Sequence, residues 1–192
     1  MTDRKSATDP TSSADYFDAD PRTDLENLVK AFAPASPLKV LELGCGKGRN
    51  AKFFFKRGDY YFGMDRYLRV PLNFRQFGIF LEGDFSEALP HGFDLICDRA
   101  GFVYNSTDAL RRTLALAHES LKVGGLLIAA DLYAEGHPQA GVSVEWREGG
   151  AADPIRTFTR AELEELFAAF ETLHLEKRTD EPTFDFVGRK RE

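Results

Sequence analysis

The sequence predicts an α/β fold, a doubly wound sheet with helices on both sides and an antiparallel last strand. Short apolar runs alternate with amphipathic helical segments, which is typical of parallel strands joined by helical crossovers. The first apolar run, 40–43, leads directly into a glycine-rich turn. The chain closes with two strand-like runs, 172–178 and 183–190, and the short link between them allows only a hairpin.

Length and composition suit a single globular domain. The chain has 192 residues, of which 43% are hydrophobic, and a chain of this size buries about 70% of its unfolded surface. Its formal net charge is −6, and we expect its basic residues to be scattered. This balance argues against the broad basic surface of a nucleic-acid binder and favours a small-molecule partner.

Several absences in the sequence predict a cytoplasmic protein. No apolar run approaches the about 18 residues of a membrane span, and the first residues lack the apolar stretch of a signal peptide. Cys45 and Cys97 show no metal-ligand or redox spacing, so we expect reduced cysteines and no metal site. Residues 1–15 are rich in Ser, Thr and Asp and are expected to be disordered. Residues 16–192 would then form one domain.

The glycine-rich turn after the first strand organises the rest of the sequence. Gly44, Gly46 and Gly48 follow the strand at alternate positions, and a helical segment begins at once. Glycine suits such a turn because it adopts positive φ at little cost and lets the backbone approach a ligand. A dinucleotide fingerprint would instead need its third glycine at position 49, which is Arg49. Glu42 stands two residues before the first glycine.

This pattern resembles motif I, E/D-x-G-x-G-x-G, of the class I S-adenosylmethionine (SAM)-dependent methyltransferases. The resemblance covers about residues 23–190 and implies a three-layer sheet of strand order 3-2-1-4-5-7-6. It also implies SAM as the cofactor, with Gly44, Cys45, Gly46 and Gly48 passing beneath it.

A helix is predicted before the first strand, because Thr23 and Glu26 form a capping box ahead of apolar residues at helical spacing. In the resembling family, the segment before such a helix can fold over the ligand. Tyr16 and Phe17 therefore either cover the ligand or anchor this helix to the core.

An acidic residue ends the second predicted strand, 60–64. Asp65 lies about 20 residues after the first glycine, where α/β nucleotide sites place a carboxylate against the ribose hydroxyls. Two charge-assisted hydrogen bonds, worth roughly 1.5–3 kcal/mol each, explain why a carboxylate suits this place. The alternative is a solvated Asp in a turn. The next residue, Arg66, is assigned to the same cofactor site.

The end of the third predicted strand, 79–81, carries a second acidic position. In the resembling family, a residue here accepts a hydrogen bond from the adenine amine, and an apolar neighbour packs against the ring. Asp84 and Phe85 match these roles by position, and the alternative is a capping Asp and a core Phe. Residues 66–77 contain Pro71 and show poor helical periodicity, so we predict a short or irregular crossover there.

The fourth predicted strand, 93–98, lies beside the first at the switch point of a doubly wound sheet. Residues after it would face the reactive end of a ligand held by the glycine turn. They lack the (D/N)-P-P-(Y/F) signature of methyltransferases that modify planar amines in DNA bases or glutamine. The pair Asp98-Arg99 instead resembles the thiopurine, thiol and tellurite-resistance group of small-molecule methyltransferases. The alternative is a local ion pair between these two side chains.

These positions imply roles around the cofactor and the methyl acceptor. Glu42 and Asp98 would order the methionine ammonium, directly or through water, and Arg99 and Tyr104 would border the acceptor. The sequence offers no convincing general base, since a lone loop histidine such as His137 is usually solvated. That absence favours a soft acceptor such as a thiol over a hydroxyl. The alternatives to a methyltransferase are a noncatalytic module that binds SAM or S-adenosylhomocysteine (SAH), and a nicotinamide oxidoreductase.

The second half of the chain is predicted to complete the sheet. A helix capped by Ser106 or Asp108 is expected to end at Gly124-Gly125, before a fifth strand at 126–132. Asp131 lies at the C-terminal end of that strand, on the edge that carries the other candidate residues.

The segment that follows the fifth strand has little periodicity. Residues 134–157 either cover the substrate or include a hairpin around 142–146, which contains Trp146. A second capping box, Thr159-x-x-Glu162, predicts a last helix. Its buried stripe is expected to contain Leu163, Leu166, Phe167 and Phe170.

Overall fold

The computed structural model describes residues 23–144 and 153–192. Its main sheet has seven strands in the order β3-β2-β1-β4-β5-β9-β8. They are β1 Lys39–Leu43, β2 Tyr60–Asp65, β3 Ile79–Glu82, β4 Phe93–Arg99, β5 Leu121–Tyr133, β8 Phe170–Lys177 and β9 Thr183–Lys190. A separate hairpin pairs β6 Ser143–Val144 with β7 Asp153–Pro154. Without that hairpin, the order is the predicted 3-2-1-4-5-7-6.

The strand directions also agree with the prediction. Neighbouring strands among β1 to β5 are parallel, whereas β9 is antiparallel to both β5 and β8. Because β1 to β4 are parallel, their C-terminal ends lie along one edge of the sheet.

Helices cover both faces of the sheet and give the predicted three layers. They are α1 Thr23–Phe32, α2 Ala51–Arg57, α3 Thr107–Ser120 and α4 Arg160–Leu166. Apolar residues of α1 and α2 pack with Val40 in one core, and those of α3 and α4 pack with Leu41 in the other. Adjacent strand residues enter different cores because side chains alternate across a strand.

Two of these helices, α3 and α4, begin at capping residues that the sequence predicts. The Ser106 hydroxyl accepts a hydrogen bond from the Ala109 N–H at 3.3 Å and caps α3. Thr159 caps α4 in the same way, through the N–H of Glu162 at 3.2 Å. At the end of α2, Gly58 adopts φ +84, a left-handed conformation that ends a helix at little cost for glycine.

The junction of α3 and β5 corrects the prediction. The helix ends at Ser120, and β5 begins at Leu121, so the pair Gly124-Gly125 lies inside the strand and does not end the helix. The register shifts there, since Leu121 pairs with Phe93 and the next paired residue, Leu126, pairs with Leu95. The chain bulges outward between these pairs, and Gly124 supplies the positive φ, +77, that the bulge needs.

Smaller differences concern the other connections. Phe170 begins β8 and does not lie on the last helix, which ends at Leu166. The irregular crossover before β3 contains a 3₁₀ helix, Leu72–Phe77. Among the described residues, none of the helices is long and apolar enough to cross a membrane. The interpretations of Tyr16, Phe17, Trp146 and residues 1–15 concern positions outside the described ranges.

We expect Gly124→Ala to destabilise the protein by about 1 kcal/mol. The left-handed backbone conformation at φ +77 costs more free energy for alanine than for glycine. A Cβ at this position meets no atom within 4 Å, so the substitution tests backbone conformation without a steric clash. Urea unfolding gives the free energy change. Gly124→Asn should cost less, because asparagine tolerates this conformation. A stability equal to wild type for the alanine variant would contradict the bulge.

Candidate functional site

The ends of β1, β2, β3 and β4 bring most of the candidate residues together. The glycine turn follows β1, and Asp65 is the last residue of β2. Asp84 lies two residues beyond β3, while Asp98 and Arg99 are the last two residues of β4. Since these strands are parallel and adjacent, all of these residues lie at the same edge of the sheet.

Three positive φ angles shape the glycine turn. Gly44, Gly46 and Gly48 adopt +67, +54 and +73. A Cβ on Gly46 would meet no atom within 4 Å, so the turn is open above this residue. A Cβ on Gly48 would lie 2.8 Å from the Phe80 ring. Gly46 therefore leaves space for a ligand, whereas Gly48 allows the turn to pack against the sheet.

A carboxylate joins the turn to the next strand. The Gly46 N–H donates to Asp65 Oδ2 at 2.9 Å, and the N–H of Tyr67 donates to Oδ1 at 2.9 Å. Each carboxylate oxygen has a second lone pair, so Asp65 can accept further hydrogen bonds from a ligand. The Cys45 N–H already has a hydrogen-bond partner within the fold, since it donates to the Met64 carbonyl at 3.1 Å.

Glu42 lies buried below the turn, on the α2 side of the sheet. Asn50 Nδ2 donates to its Oε1 at 2.7 Å, and the Tyr61 hydroxyl donates to its Oε2. Burial raises the pKa of Glu42 from 4.5 to about 7, although hydrogen bonds from Tyr61 and Asn50 and the charge of Arg99 oppose that shift. Glu42 thus changes charge near neutral pH in the ligand-free protein.

Asp98 is fully buried and supports the loop after β4. Its Oδ2 accepts a hydrogen bond from the Phe102 N–H at 3.2 Å. Burial raises the pKa of Asp98 well above its ordinary value, and the nearby Glu42 raises it further. A Cβ added to Gly44 would lie 3.8 Å from Asp98 Oδ1. Asp98 is therefore close to the glycine turn, where an incoming ammonium would stabilise its charged form.

Arg99 pairs across the sheet, and its charge also opposes the rise in the pKa of its neighbour Asp98. Its guanidinium forms an ion pair with Asp131, at the end of β5. Arg178 Nη1 also approaches Asp131 at 3.5 Å, and it pairs with Asp24 of α1 at 2.8 Å. Asp131 adopts φ +57, within a bulge of β5. This chain of charges ties the first helix to the end of β4.

The proposed adenine residues are engaged within the protein. Asp84 Oδ1 accepts from the Ser86 N–H and hydroxyl at 2.8 and 2.7 Å, and its Oδ2 pairs with Arg66 at 2.6 Å. These interactions lower the pKa of Asp84, although desolvation opposes them. Phe85 is only 8% exposed and packs in the larger core. Asp84 thus stabilises a local turn and Phe85 is buried, and the adenine assignment remains a prediction.

The glycine turn borders a small pocket. It encloses about 90 Å³ and is lined by Glu42, Gly44, Cys45, Gly46, Lys47, Arg49, Asn50 and Arg99. Ligand sites usually enclose about 300–1,000 Å³, so this pocket by itself is too small for a whole nucleoside. A larger concavity of about 370 Å³ lies along β8, but it is far from the strand ends that carry the candidate residues.

Sequence reasoning missed Lys47, Arg49 and Asn50 as pocket residues and Tyr61 as the partner of Glu42. The first three stand within or just after the glycine motif, and that position could have identified them as pocket residues. Tyr61 had no such signal, because its contact depends on the pairing of β1 with β2. Tyr104 is partly buried against the larger core and does not line this pocket.

The two cysteine thiols and the His137 imidazole are limited in the chemistry that they can perform. Burial raises the pKa values of Cys45 and Cys97 far above their ordinary range, so both thiols stay protonated. His137 stacks on Tyr133, with 3.5 Å between ring centroids, and its Nδ1 accepts from the Gln139 N–H at 3.2 Å. Neutral His137 therefore carries its proton on Nε2 and can donate there. No cluster of metal-binding side chains occurs among the described residues.

The raised pKa of Glu42 predicts a pH dependence of stability. Between about pH 4.5 and 7, folded Glu42 holds a proton that the unfolded chain releases, so its contribution to the free energy of unfolding falls as pH rises. We expect Glu42→Gln to match wild type near pH 5 and to exceed it by roughly 3 kcal/mol at pH 8. Urea unfolding at both pH values measures this difference. The exposed Glu82→Gln is the control, and a difference for Glu42→Gln that does not change with pH would contradict the assignment.

Comparison with known proteins identifies the family. A family model described as a methyltransferase domain matches residues 17–171. No curated protein sequence matches the chain significantly.

Solved structures share the fold at low sequence identity. A SAM-dependent methyltransferase from Methanosarcina mazei is 16% identical, with a TM-score of 0.71 over 88% of this chain and 99% of the other. A TehB-like SAM-dependent methyltransferase from Corynebacterium glutamicum is 20% identical, with a TM-score of 0.65 over 86% of both chains. A Burkholderia thailandensis 1,6-didemethyltoxoflavin-N1-methyltransferase, solved with bound 1,6-didemethyltoxoflavin and SAH, is 22% identical; its TM-score is 0.69 over 89% of this chain and 78% of the other.

The family match covers more than half of the chain, and the strand order with its antiparallel last strand agrees with it. The chain therefore belongs to the methyltransferase domain family and has the fold of the class I SAM-dependent methyltransferases.

Proposed function

We propose that this protein transfers the methyl group of SAM to a small-molecule acceptor, with a thiol or another soft nucleophile as the preferred class. One observation carries the proposal. The Gly46 N–H binds the Asp65 carboxylate at 2.9 Å, so an open glycine turn and an acidic strand end form one continuous surface. A nucleoside lying on that surface would meet both features at once.

We assign the parts of the cofactor to the residues of this edge. Gly44 and Gly46 would lie beneath the methionine portion, and Asp65 would accept hydrogen bonds from the ribose hydroxyls. Glu42 and Asp98 would stabilise the ammonium, because both are buried carboxyls whose raised pKa values fall when a cation approaches. The pocket fits this group in charge as well, since Arg49 lines it together with Glu42 and can bind the methionine carboxylate.

The adenine would lie beyond the ribose, towards Asp84, Phe85 and Arg66. The Arg66 side chain is about half exposed and pairs with Asp84 at 2.6 Å, so it can exchange this ion pair for contact with a ligand. Such an exchange costs little at an exposed site. The Ser86 hydrogen bonds would keep the Asp84 carboxylate in place during the exchange.

Few acid or base residues are needed for the transfer step. When bound, SAM supplies an electrophilic methyl that already carries the charge of its sulfonium. The protein then has to hold the acceptor atom at about 3 Å, in line with the breaking bond, and exclude water. We place Arg99 and Tyr104 on the acceptor side. Arg99 is held by Asp131, which gives its guanidinium a fixed position.

The described residues support a soft acceptor. His137 accepts a hydrogen bond at Nδ1 and so offers a proton at Nε2, which suits a donor more than a base. The thiols of Cys45 and Cys97 stay protonated and do not serve as nucleophiles. An acceptor that ionises by itself near neutral pH, such as a thiol, needs no base from the protein.

A second candidate function is a noncatalytic module that binds SAM or SAH. The small size of the pocket at the turn, about 90 Å³, favours it, because a methyl acceptor would need further space beside the cofactor.

We also propose that residues 16–192 form a single methyltransferase domain that acts in the cytoplasm. The family match over 17–171 supports the domain limits, as does a main sheet that continues to residue 190. The two free, buried cysteines are consistent with a reducing compartment.

We expect micromolar binding of SAM and no binding of NAD in isothermal titration calorimetry. Asp65→Ala should weaken SAM binding by at least roughly 1.5–3 kcal/mol, which is the value of one ribose hydrogen bond to a charged group. Asp65→Asn is the matched control, since it keeps an acceptor for the Gly46 N–H and should lose less. Unchanged SAM affinity in Asp65→Ala would contradict the ribose assignment.

We expect thiols to give the highest rate of SAH formation in a panel of thiol, halide, chalcogen-oxyanion, hydroxyl and amine acceptors. With a thiol, the rate should rise with pH towards the thiol's own pKa of about 8.5, because the thiolate is the reacting species. Coupled detection of SAH measures the rate, with Asp65→Ala as the control. SAM binding without SAH formation from any acceptor would favour the binding module.

A further inference from the structure

The acidic net charge of the chain conceals a strongly basic segment. Residues 47–81 contain eight Lys or Arg and two Asp or Glu, a formal charge of +6, whereas the whole chain carries −6. All other residues together therefore carry −12. The expectation that basic residues are scattered is wrong, because almost a third of them fall within this segment.

The segment builds one end of the molecule, around the edge strand β3. It contains α2, β2, the 3₁₀ helix Leu72–Phe77 and most of β3. The Phe55 ring of α2 lies 5.3 Å from the Phe77 ring, which joins α2 to the 3₁₀ helix. We call the exposed part of this end the β3 edge surface. It consists of Lys52, Phe55, Lys56, Leu72, Arg75 and Ile79.

Large apolar side chains are exposed on the β3 edge surface. Phe55 is 53% exposed, Leu72 is 84% exposed and Ile79 is 54% exposed. These are three of the six most exposed large apolar residues in the described ranges. Exposed apolar residues grouped in this way mark interaction sites more often than residues scattered singly.

The strand β3 is poorly covered by the rest of the fold. It pairs only with β2, and residues 83–92 contain no helix. Phe80 packs on the Tyr61 ring in one core, whereas Leu81 packs against the other core. Since side chains alternate, Ile79 shares the face of Leu81. Apolar groups thus flank the free edge of β3 on both sides of the sheet.

The cations of this surface are uncompensated. Lys52, Lys56 and Arg75 are all exposed, and none of them forms an ion pair with another residue in the described ranges. By contrast, the nearby Arg57 pairs with Asp59 at 2.9 Å. The surface therefore offers positive charge to a partner.

We propose that the β3 edge surface binds an extended, acidic segment of a partner protein, which adds a strand to β3. The free backbone groups of an edge strand bind another strand, and pockets for alternate side chains then select its sequence. Apolar residues of the added strand would contact Phe55 and Leu72 on one face and Ile79 on the other. Its acidic residues would lie near Lys52, Lys56 and Arg75. This inference does not depend on methyl transfer.

The charge of the surface argues for a different protein as the occupant, and not for a second copy of this chain. A two-fold pairing of β3 with β3 would place the same cations opposite one another, and like charges across an interface cost binding energy. A nucleic acid or a membrane would satisfy the cations but would leave the backbone groups of β3 without partners.

The test uses a fluorescein-labelled eight-residue peptide of two Val-Val-Glu-Glu repeats, which places valine and glutamate on both faces of a strand, and a matched peptide with lysine in place of glutamate. Fluorescence anisotropy with the full chain should show binding of the acidic peptide only. Hydrogen exchange of the β3 amides should slow when that peptide binds. The double variant Lys56→Glu/Arg75→Glu and the variant Ile79→Asp should each weaken binding at least tenfold.

Matched controls separate this effect from loss of folding. Arg112→Glu on α3 and Val123→Asp in the β5 bulge change exposed residues elsewhere, and both should bind the acidic peptide within twofold of wild type. Circular dichroism should show that every variant is folded at the assay temperature, and SAM binding should be unchanged, because none of these residues lines the pocket at the glycine turn.

Five outcomes would overturn the proposal. Neither peptide binds at millimolar concentration, or both bind equally. Another is that the chain binds polyuridylate or phosphatidylserine vesicles but not the peptide, and that the double variant abolishes this binding. The wild-type chain sediments as a dimer that Lys56→Glu/Arg75→Glu dissociates. Deletion of residues 1–22, which include the acidic stretch 15–20, raises peptide affinity tenfold and shows that the chain's own N-terminus occupies the surface.

Discussion

The hydrogen bond between the Gly46 N–H and the Asp65 carboxylate is the constraint on which the candidate site depends. It joins two adjacent strand ends and fixes the conformation of the turn. The bond is possible because β1 and β2 are parallel neighbours, with Leu43 paired to Met64. This register places the residues that follow the two strands side by side. A nucleoside that reaches this edge meets a carboxylate already oriented by the protein, so little of its binding energy is spent on ordering that group.

Buried carboxyl groups distinguish this edge from an ordinary loop surface. Glu42 and Asp98 both have raised pKa values and lie on either side of the glycine turn. An uncompensated buried carboxylate is costly, and the fold reduces that cost with donors from Asn50 and Tyr61 around Glu42. Arg99 pairs with Asp131, and its charge also opposes the rise in the pKa of Glu42. The site thus retains the capacity to stabilise an incoming cation, which suits a ligand that carries an ammonium and a sulfonium.

The fold was predictable to the level of strand order because local signals and long-range pairing agree. The glycine turn, the acidic strand ends and the final hairpin are all local patterns, and each follows from a few adjacent residues. The bulge at Gly124 was missed because paired glycines resemble a helix stop, and only the register with β4 shows that they lie inside a strand. Partners far apart in sequence were also missed. The contacts of Arg99 with Asp131 and of Tyr61 with Glu42 depend on side-chain directions that periodicity does not specify.

The most direct measurement is a crystal structure of the protein grown with SAH. We expect ribose hydroxyls at hydrogen-bond distance from the Asp65 carboxylate, with the homocysteine portion above Gly44 and Gly46 and its ammonium near Glu42. A nucleoside bound elsewhere, or one whose sugar does not contact Asp65, would contradict the central claim.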